Sequence, residues 1–531
     1  MKIKRTHPAI MFGGAALAVL VVIALVVCTA LFAPMRYAPD DRVFEKGWAT
    51  DNNGYAKEGA DVERLISVRP TPLQVEYSDM GYYSFIHYGM NTFTDQEWGT
   101  GEEDPAQFNP TKVDTDQWVR VLKESGSQGV IFTVKHHDGF CLWPSAYTEH
   151  SIKNSPYMDG KGDIVKQVSD SCKKYGMKFG IYLSPWDMHE ETYGTDAYND
   201  FFVNQLTELC TNYGELFAIW FDGAKGEDAP DFEYDLDRYF AVIRELQPNC
   251  VIANQGPDVR WIGNEAADTR ESEWSVISRG SESAEAIEAR SQQNADDTSK
   301  LQAVASDAED VGSREVVLQY KTLAFKPAEA DVSIRKGWFY HESEDNTVKS
   351  AETLTDMYYR TVGGNAFFLL NVPPNKEGVI AEPDVQALQA FGKQIADDFS
   401  KPIENASVMV GNANDMRQNE QAGALLNGDT SYMFEDNAYI LDIDLEKPCT
   451  ISRVVLQEDL AYSQRIEAFD VYVKTDGYYK KAEACTVIGS KKICKLDENR
   501  RNPEKAEGIR IVIRQSRSNP VLRSIQLYEK P

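Results

Sequence analysis

Asp222 closes a short apolar run, Phe217-Ala-Ile-Trp-Phe-Asp-Gly223, near the middle of the 531-residue chain. Aliphatic and aromatic residues in a row suit a strand buried on both faces, and Gly223 lets the backbone turn sharply after it. An acid delivered at the end of a parallel barrel strand stands on the active-site rim. Three of the seven histidines, His87, His136 and His137, also fall at strand ends, in Phe85-Ile-His-Tyr-Gly89 and Lys135-His-His-Asp-Gly-Phe140. Their clustering predicts one shared pocket. Metal binding is the rival use of the group, since His-His followed by Asp138 supplies ligand types. Adjacent side chains on a strand point to opposite faces, however, so His136 and His137 can grip one ion only if the strand has already ended. No metal is assigned.

A second acid, Glu265, ends the loop-like stretch Gly256-Pro-Asp-Val-Arg-Trp-Ile-Gly-Asn-Glu265, near Arg260 and Trp261. An indole neighbour suits a raised pKa. Glu271 and Glu273 are further candidates, and among 83 acids one loop carboxylate carries little weight alone. The combination with Asp222 singles out Glu265. One ionised and one protonatable carboxyl on a common rim are the parts of glycoside hydrolysis, with retention when the two stand about 5 Å apart. Trp98, Trp143, Trp186, Trp261, Trp274 and Trp338 follow or end strand-like runs. Each is by default a core residue, yet indoles at a rim stack on sugar rings while acids and histidines take the hydroxyls. These residues suit a carbohydrate site.

The elements that must hold them alternate. Strand-like runs at 82–88, 130–135, 178–183, 217–222 and 251–253 are separated by amphipathic helices at 116–125, 163–175, 198–213 and 236–246. That order is the signature of a parallel sheet. Asp163 is the N-cap of the second helix, with Ile164, Val168 and Cys172 on one stripe. Two late strands, 337–340 and 366–372, flank a helix at 351–360, which completes seven or eight units of an α/β, irregular (β/α)8-like barrel over 75–400. Residues 35–74 read as a lead-in. The Ser-, Glu-, Ala- and Asp-rich stretch 278–313 reads as a long solvated loop or loose helical insertion. Short alternating strands at 439–443, 453–456, 467–473 and 508–513 predict an all-β sandwich domain over 405–531. No period of about 20 to 50 residues recurs, which disfavours a solenoid or propeller.

Composition narrows the partners. The 55 Lys and Arg against 83 Asp and Glu leave a formal charge of −28, which repels nucleic-acid phosphate. A nucleic-acid role is disfavoured. Residues 1–34 stand apart, because Lys2, Lys4 and Arg5 precede a run from Ala9 to Ala33 with no charged residue. That run can cross a bilayer, so an uncleaved transmembrane anchor is expected, with a signal peptide as the alternative. The positive flank then stays cytoplasmic and the remainder acts at the cell surface, or is secreted if the segment is cleaved. Eight cysteines are too few for a disulfide-built scaffold, and none has the paired spacing of a zinc site. Cys141, Cys172, Cys210 and Cys250 read as buried thiols, whereas Cys485 and Cys494 could bridge a hairpin in an oxidising compartment.

Taken together, Phe85-Ile-His-Tyr-Gly89, Glu97-Trp-Gly99, Lys135-His-His-Asp-Gly-Phe140, Tyr182-Leu-Ser-Pro185, Trp220-Phe-Asp-Gly223 and Leu370-Asn-Val-Pro-Pro374 resemble the α-L-fucosidases of glycoside hydrolase family 29, over about 75–395. The resemblance implies that Asp222 is the nucleophile that forms a covalent glycosyl-enzyme, from which water releases fucose with retained configuration. It implies a fucose pocket lined by His87, Glu97, Trp98, His136, His137 and Tyr182, with Trp338 near the methyl group, and no cofactor. The stretch 256–265, with Asp331-Val-Ser-Ile-Arg335 and Gly337-Trp-Phe-Tyr-His341, is similar to the subgroup that prefers α-1,3/4-linked fucose on Lewis-type glycans, in which Glu265 matches the general acid/base. Ala266-Ala-Asp-Thr-Arg-Glu271 departs from the Gly and aromatic residues expected there. Residues 405–531 are similar to discoidin-like carbohydrate-binding modules, folds in which a structural calcium is common; no ligands are assigned. A silent glycan-binding protein and a glycosidase of another sugar preference are the alternatives.

Overall fold

The computed structural model describes residues 59–531 apart from 228, 231, 279–308, 319, 321–322, 429, 436–437 and 497–504. The expected anchor and nearly all of the Ser- and Glu-rich stretch lie outside the described residues. Among the described residues no helix is long and apolar enough to cross a membrane.

Five strands and four helices follow the predicted order: β1 (Tyr82–Ile86), helix Thr115–Glu124, β2 (Gly129–Lys135), helix Ile164–Tyr175, β3 (Lys178–Leu183), helix Asp196–Asn212, β4 (Ala218–Phe221), helix Leu236–Leu246 and β5 (Val251–Asn254). Carboxylates cap three of the helices, with Asp114, Asp163 and Asp235 accepting the Gln117, Lys166 and Arg238 amides. The strands carry apolar side chains on both faces, and the two faces meet different cores. Tyr83, Phe85 and Ile131 join Tyr182, Trp220 and Phe367 inside the sheet, whereas Tyr82, Ile86, Val130 and Phe132 pack with Trp118 and Val168 of the helices.

Beyond β5 the barrel becomes irregular. β6 (Arg260–Trp261) follows directly, with no intervening helix, and a two-stranded ribbon of β7 (Val276–Ser278) and β8 (Leu323–Phe325) precedes β9 (Ala328–Ser333). The helix Ala351–Thr361 leads to β10 (Ala366–Asn371) and then the helix Glu382–Asp398. The eight-stranded sheet runs β5-β4-β3-β2-β1-β10-β9-β6, all parallel where paired, and a bridge between Ala253 and Val259 joins its ends. The strand expected at 337–340 is a loop, and the barrel strand lies upstream at Ala328–Ser333. Its sequence, Ala-Glu-Ala-Asp-Val-Ser, alternates in a way that suits a half-wet strand. Here the polar row faces the barrel interior instead: Glu329 accepts from Tyr77 Oη at 3.2 Å, Trp220 Nε1 at 2.5 Å and the Tyr83 hydroxyl. The helix Pro72–Met80, opened by a Thr71/Gln74 capping box, carries Tyr77 into the same interior cluster; it begins at the end of the segment read as a lead-in.

The C-terminal domain consists of two antiparallel sheets, ordered β12-β11-β14-β19-β16-β17 and β13-β20-β15-β18. Their strands are β11 (Ala406–Asn412), β12 (Asp415–Gln418), β13 (Tyr432–Met433), β14 (Ile440–Cys449), β15 (Ile451–Glu458), β16 (Ile466–Thr475), β17 (Tyr478–Cys485), β18 (Lys492–Lys495), β19 (Ala506–Ser516) and β20 (Val521–Glu529). The domain docks on the irregular side of the barrel. Buried Arg314 pairs with Glu467 at 2.8 Å, the Ser490 amide donates to Asn365 Oδ1 at 2.7 Å, and Arg517 lies over the Trp274 ring at 3.7 Å. Thus Gly312 and Ser313, the end of the stretch read as solvated, and the short helix Arg314–Val317 that follows it are partly buried between domains.

Candidate active site

Asp222 directly follows β4 and is fixed from both sides. Tyr182 Oη donates to its Oδ2 at 2.6 Å and the Ala224 amide to its Oδ1 at 2.8 Å, while His137 Nε2 lies 3.9 Å from Oδ2. Tyr182 stacks on Trp220 at 5.3 Å and 13°, so the indole held by Glu329 also sets the Tyr182 ring. The carboxylate keeps 17 % side-chain exposure, open to a reacting centre.

The three histidines converge, and a local defect in β2 explains how. The β2–β3 register shifts between Thr133 and Lys135, and Lys135 turns toward the helices to meet Asp187 at 2.8 Å and Gln205 at 3.1 Å. The strand then ends, which frees two consecutive residues from alternation. His136 and His137 lie with ring centroids 3.9 Å apart, and His136 and His87 at 5.8 Å. The objection from alternating faces therefore does not apply. Burial pushes His87 and His137 down to about 4 and His136 well below its usual value, so all three are neutral at pH 7. Their partners set the tautomers. His87 Nδ1 donates to Asn371 Oδ1 at 2.9 Å, and His137 Nδ1 donates to Ser184 Oγ at 2.7 Å, because Ser184 gives its own proton to the Trp186 carbonyl. His136 Nδ1 accepts from Asn91 Nδ2 at 3.3 Å. The remaining Nε2 atoms are then two acceptors and one donor, a set matched to hydroxyl groups.

Glu265 lies in a loop pinned by its own side chains. Asn264 Oδ1 accepts the Ala266 and Asp268 amides at 3.1 Å each, Ala267 takes a left-handed φ of 55°, and Arg360 holds Asp268. Trp338 Nε1 donates to Glu265 Oε2 at 3.3 Å, while the Trp338 amide donates to Glu97 Oε2 at 2.9 Å. Burial is the main cause that raises Glu265 to about 8; the Trp338 hydrogen bond opposes the shift and the charges of Asp222 and Glu97 add to it. The site therefore holds a hydrogen-bonded carboxylate and a carboxyl that is mostly protonated at neutral pH, with Trp98 and Trp186 packed on His137 and Trp338 on His87.

The α-L-fucosidase family pattern matches residues 73–397, which contain every residue of this site. Alpha-L-fucosidase 1 of Arabidopsis thaliana is 36% identical over 471 residues, 86% of this chain and 87% of the plant protein. The chain belongs to the α-L-fucosidase family. Among solved structures, a Bacteroides ovatus protein provisionally assigned to the same activity is 39% identical with a TM-score of 0.76, covering 91% of this chain and 78% of that one. A family 29 fucosidase of Ruminococcus gnavus in complex with fucose is 28% identical with a TM-score of 0.73, covering 91% and 99%.

In this fucosidase, His87, Trp98, His136, His137, Tyr182, Asp222, Glu265 and Trp338 gather at one end of the barrel, and other candidates separate from them. Glu273 is fully buried between Arg260 and Arg270, and the Glu271 carbonyl accepts from Thr486 of the β domain. Trp143 donates to Glu208 in the helical layer, and Trp274 packs at the domain junction. The indole on Glu265 is Trp338, because Trp261 donates to Asp331 Oδ1 at 2.6 Å. Glu97, expected in the pocket lining, also holds a neighbouring loop. Its oxygens take the Trp338 amide, the Phe339 amide at 3.4 Å and His341 Nε2 at 2.6 Å, so it ties down the loop that carries Trp338. Asn371, Asn91 and His341 were missed as individual site residues. Asn371 was detectable as a polar side chain at the end of an apolar strand, but Asn91, in the short helix Met90–Thr94, and His341, in a loop, carry no such signal.

His341 completes the tie. Its Nδ1 meets Asp95 at 2.7 Å, and the bond to Glu97, with help from Asp95 and Glu344, raises it to about 9. A raised histidine supports its contacts while protonated and releases them as pH climbs through the folded value. L-Fucose binding, read as product inhibition, is expected to weaken above about pH 9 in the unmutated enzyme. His341→Gln should bind fucose about tenfold more weakly at pH 7, the loss of one charge-assisted bond, with no break near 9. An unchanged inhibition constant in that variant would show that the loop holds without it.

Proposed function

We propose that the enzyme is a retaining exo-α-L-fucosidase that removes terminal α-1,3/4-linked L-fucose from glycans through a covalent glycosyl-enzyme. Asp222 attacks the anomeric carbon while Glu265 protonates the departing glycosidic oxygen; Glu265 then deprotonates the water that releases fucose. The neutral histidines take the ring hydroxyls, and Trp98 and Trp338 bound the sugar. The carrying observation is the contrast between two carboxyls on one rim, Asp222 held by two donors and Glu265 raised to about 8. Fucosylated oligosaccharides or glycoconjugates are the substrates. The apolar run from Ala9 to Ala33 supports a site of action at the cell surface.

The test is the stereochemistry and linkage of the first product. The full-length enzyme is mixed with a Lewis trisaccharide and, separately, with an α-1,2-fucosylated disaccharide, and fucose is followed by proton NMR. The α-anomer should appear first and from the trisaccharide faster. Initial β-fucose would exclude retention, and faster cleavage of the disaccharide would exclude the linkage preference.

A further inference from the structure

Outside the sugar pocket, the two sheets of the β domain meet at a cluster that the fucosidase chemistry does not use. Cys485 ends β17 in the six-stranded sheet and Cys494 lies in β18 of the four-stranded sheet, and their Sγ atoms stand 3.6 Å apart. Both thiols are buried and free. The pair therefore spans the two sheets and is not the hairpin pair suggested by its nine-residue separation. Glu483 joins them. On β17 it sits opposite Val471, as Cys485 sits opposite Phe469, and both partners are fully buried core residues. Its carboxylate is thus aimed inward, and Oε2 is buried without a hydrogen-bond partner. One ligand atom from each of Glu483, Cys485 and Cys494 lies within 4.8 Å of the others, the only such group of metal-ligand types among the described residues.

We propose that Glu483, Cys485 and Cys494 form a binding site for a thiophilic divalent cation such as zinc, which clamps the two sheets. Two sulfurs at about 2.3 Å from a tetrahedral ion stand about 3.8 Å apart, close to the spacing the fold already provides. A carboxylate is the third ligand and water the fourth. Charge closes as well: a divalent ion with two thiolates and one carboxylate carries a net −1, and Lys492, whose charge acts on both Glu483 and Cys494, balances it. Binding requires both thiols to lose their protons, so uptake releases two protons and weakens as pH falls.

Cobalt(II) reports thiolate ligation by a near-ultraviolet charge-transfer band, and zinc by displacing it. The full-length enzyme, reduced and freed of metal, is expected to take up one cobalt per chain with that band and to unfold at a higher temperature with zinc. Cys485→Ser and Cys494→Ser should each abolish the band and the zinc-dependent shift while still hydrolysing 4-nitrophenyl α-L-fucoside, which shows that the chain has folded. Glu483→Gln should bind at least about tenfold more weakly. A band that survives in both serine variants, or unchanged binding by Glu483→Gln, overturns the proposal. So does a two-dalton mass loss in the freshly isolated enzyme that maps to a Cys485–Cys494 disulfide, since the thiols would then be joined covalently and unable to ligate.

Discussion

Asp222→Ala lowers kcat/KM for 4-nitrophenyl α-L-fucoside on the order of 10⁴-fold or more, while L-fucose still binds. Removing a group that makes the bond leaves no substitute within reach. Tyr182 has only its hydroxyl, and His137 Nε2 lies 3.9 Å from the missing oxygen without the charge to replace it. The fold should tolerate the change, because β4 is held by pairing to β3 and β5 and by its apolar faces. The Tyr182 hydroxyl and Ala224 amide lose an acceptor next to the open pocket, where water can replace it. The check is steady-state kinetics beside fucose binding by calorimetry. Activity within about tenfold of the unmutated enzyme would remove Asp222 from the nucleophile's role.

Glu265→Gln separates substrates by leaving group. With 4-nitrophenolate, which departs without a proton, formation of the glycosyl-enzyme should slow little; with a Lewis trisaccharide, whose alkoxide must be protonated, kcat/KM should fall about 10²- to 10⁴-fold. The pH profile adds an independent reading. Burial raises Glu265 to about 8, so the acid is present below that value and lost as pH rises through it. Trisaccharide hydrolysis should therefore fall on the alkaline side with a midpoint near 8, and Glu265→Gln should lack that limb. If the limb persists in the variant, another group is the acid, and Asp331 is the first to test, because burial and the charge of Glu265 raise it well above the usual carboxylate range.

How much was readable from the chain depended on how local each cause was. Asp163 as an N-cap and the helix Ile164–Tyr175 follow from neighbouring residues and were legible. β9 was not, because its alternation has opposite meanings on a wet surface and in a barrel lumen: Glu329 is inside only because Tyr77, Tyr83 and Trp220 arrive from three other elements. The same limit applies to the tryptophans. Type and strand-end position selected six of them, but whether an indole meets sugar, as we propose for Trp338, or a neighbouring domain, as Trp274 does, depends on contacts far away in sequence.

The chain alone determined the alternating strands and helices, the acid after β4 and the family, since strand burial, turn residues and short motifs are written in consecutive positions. Tertiary structure decided what remained. The register shift in β2 and the end of that strand placed His136 and His137 side by side, a loop tied by Glu97 and His341 brought Trp338 onto Glu265, and two sheets carried Cys485 against Cys494. Each is a meeting of distant segments, and the free energy that holds it, from burial and paired charges, exists only once both segments have left water.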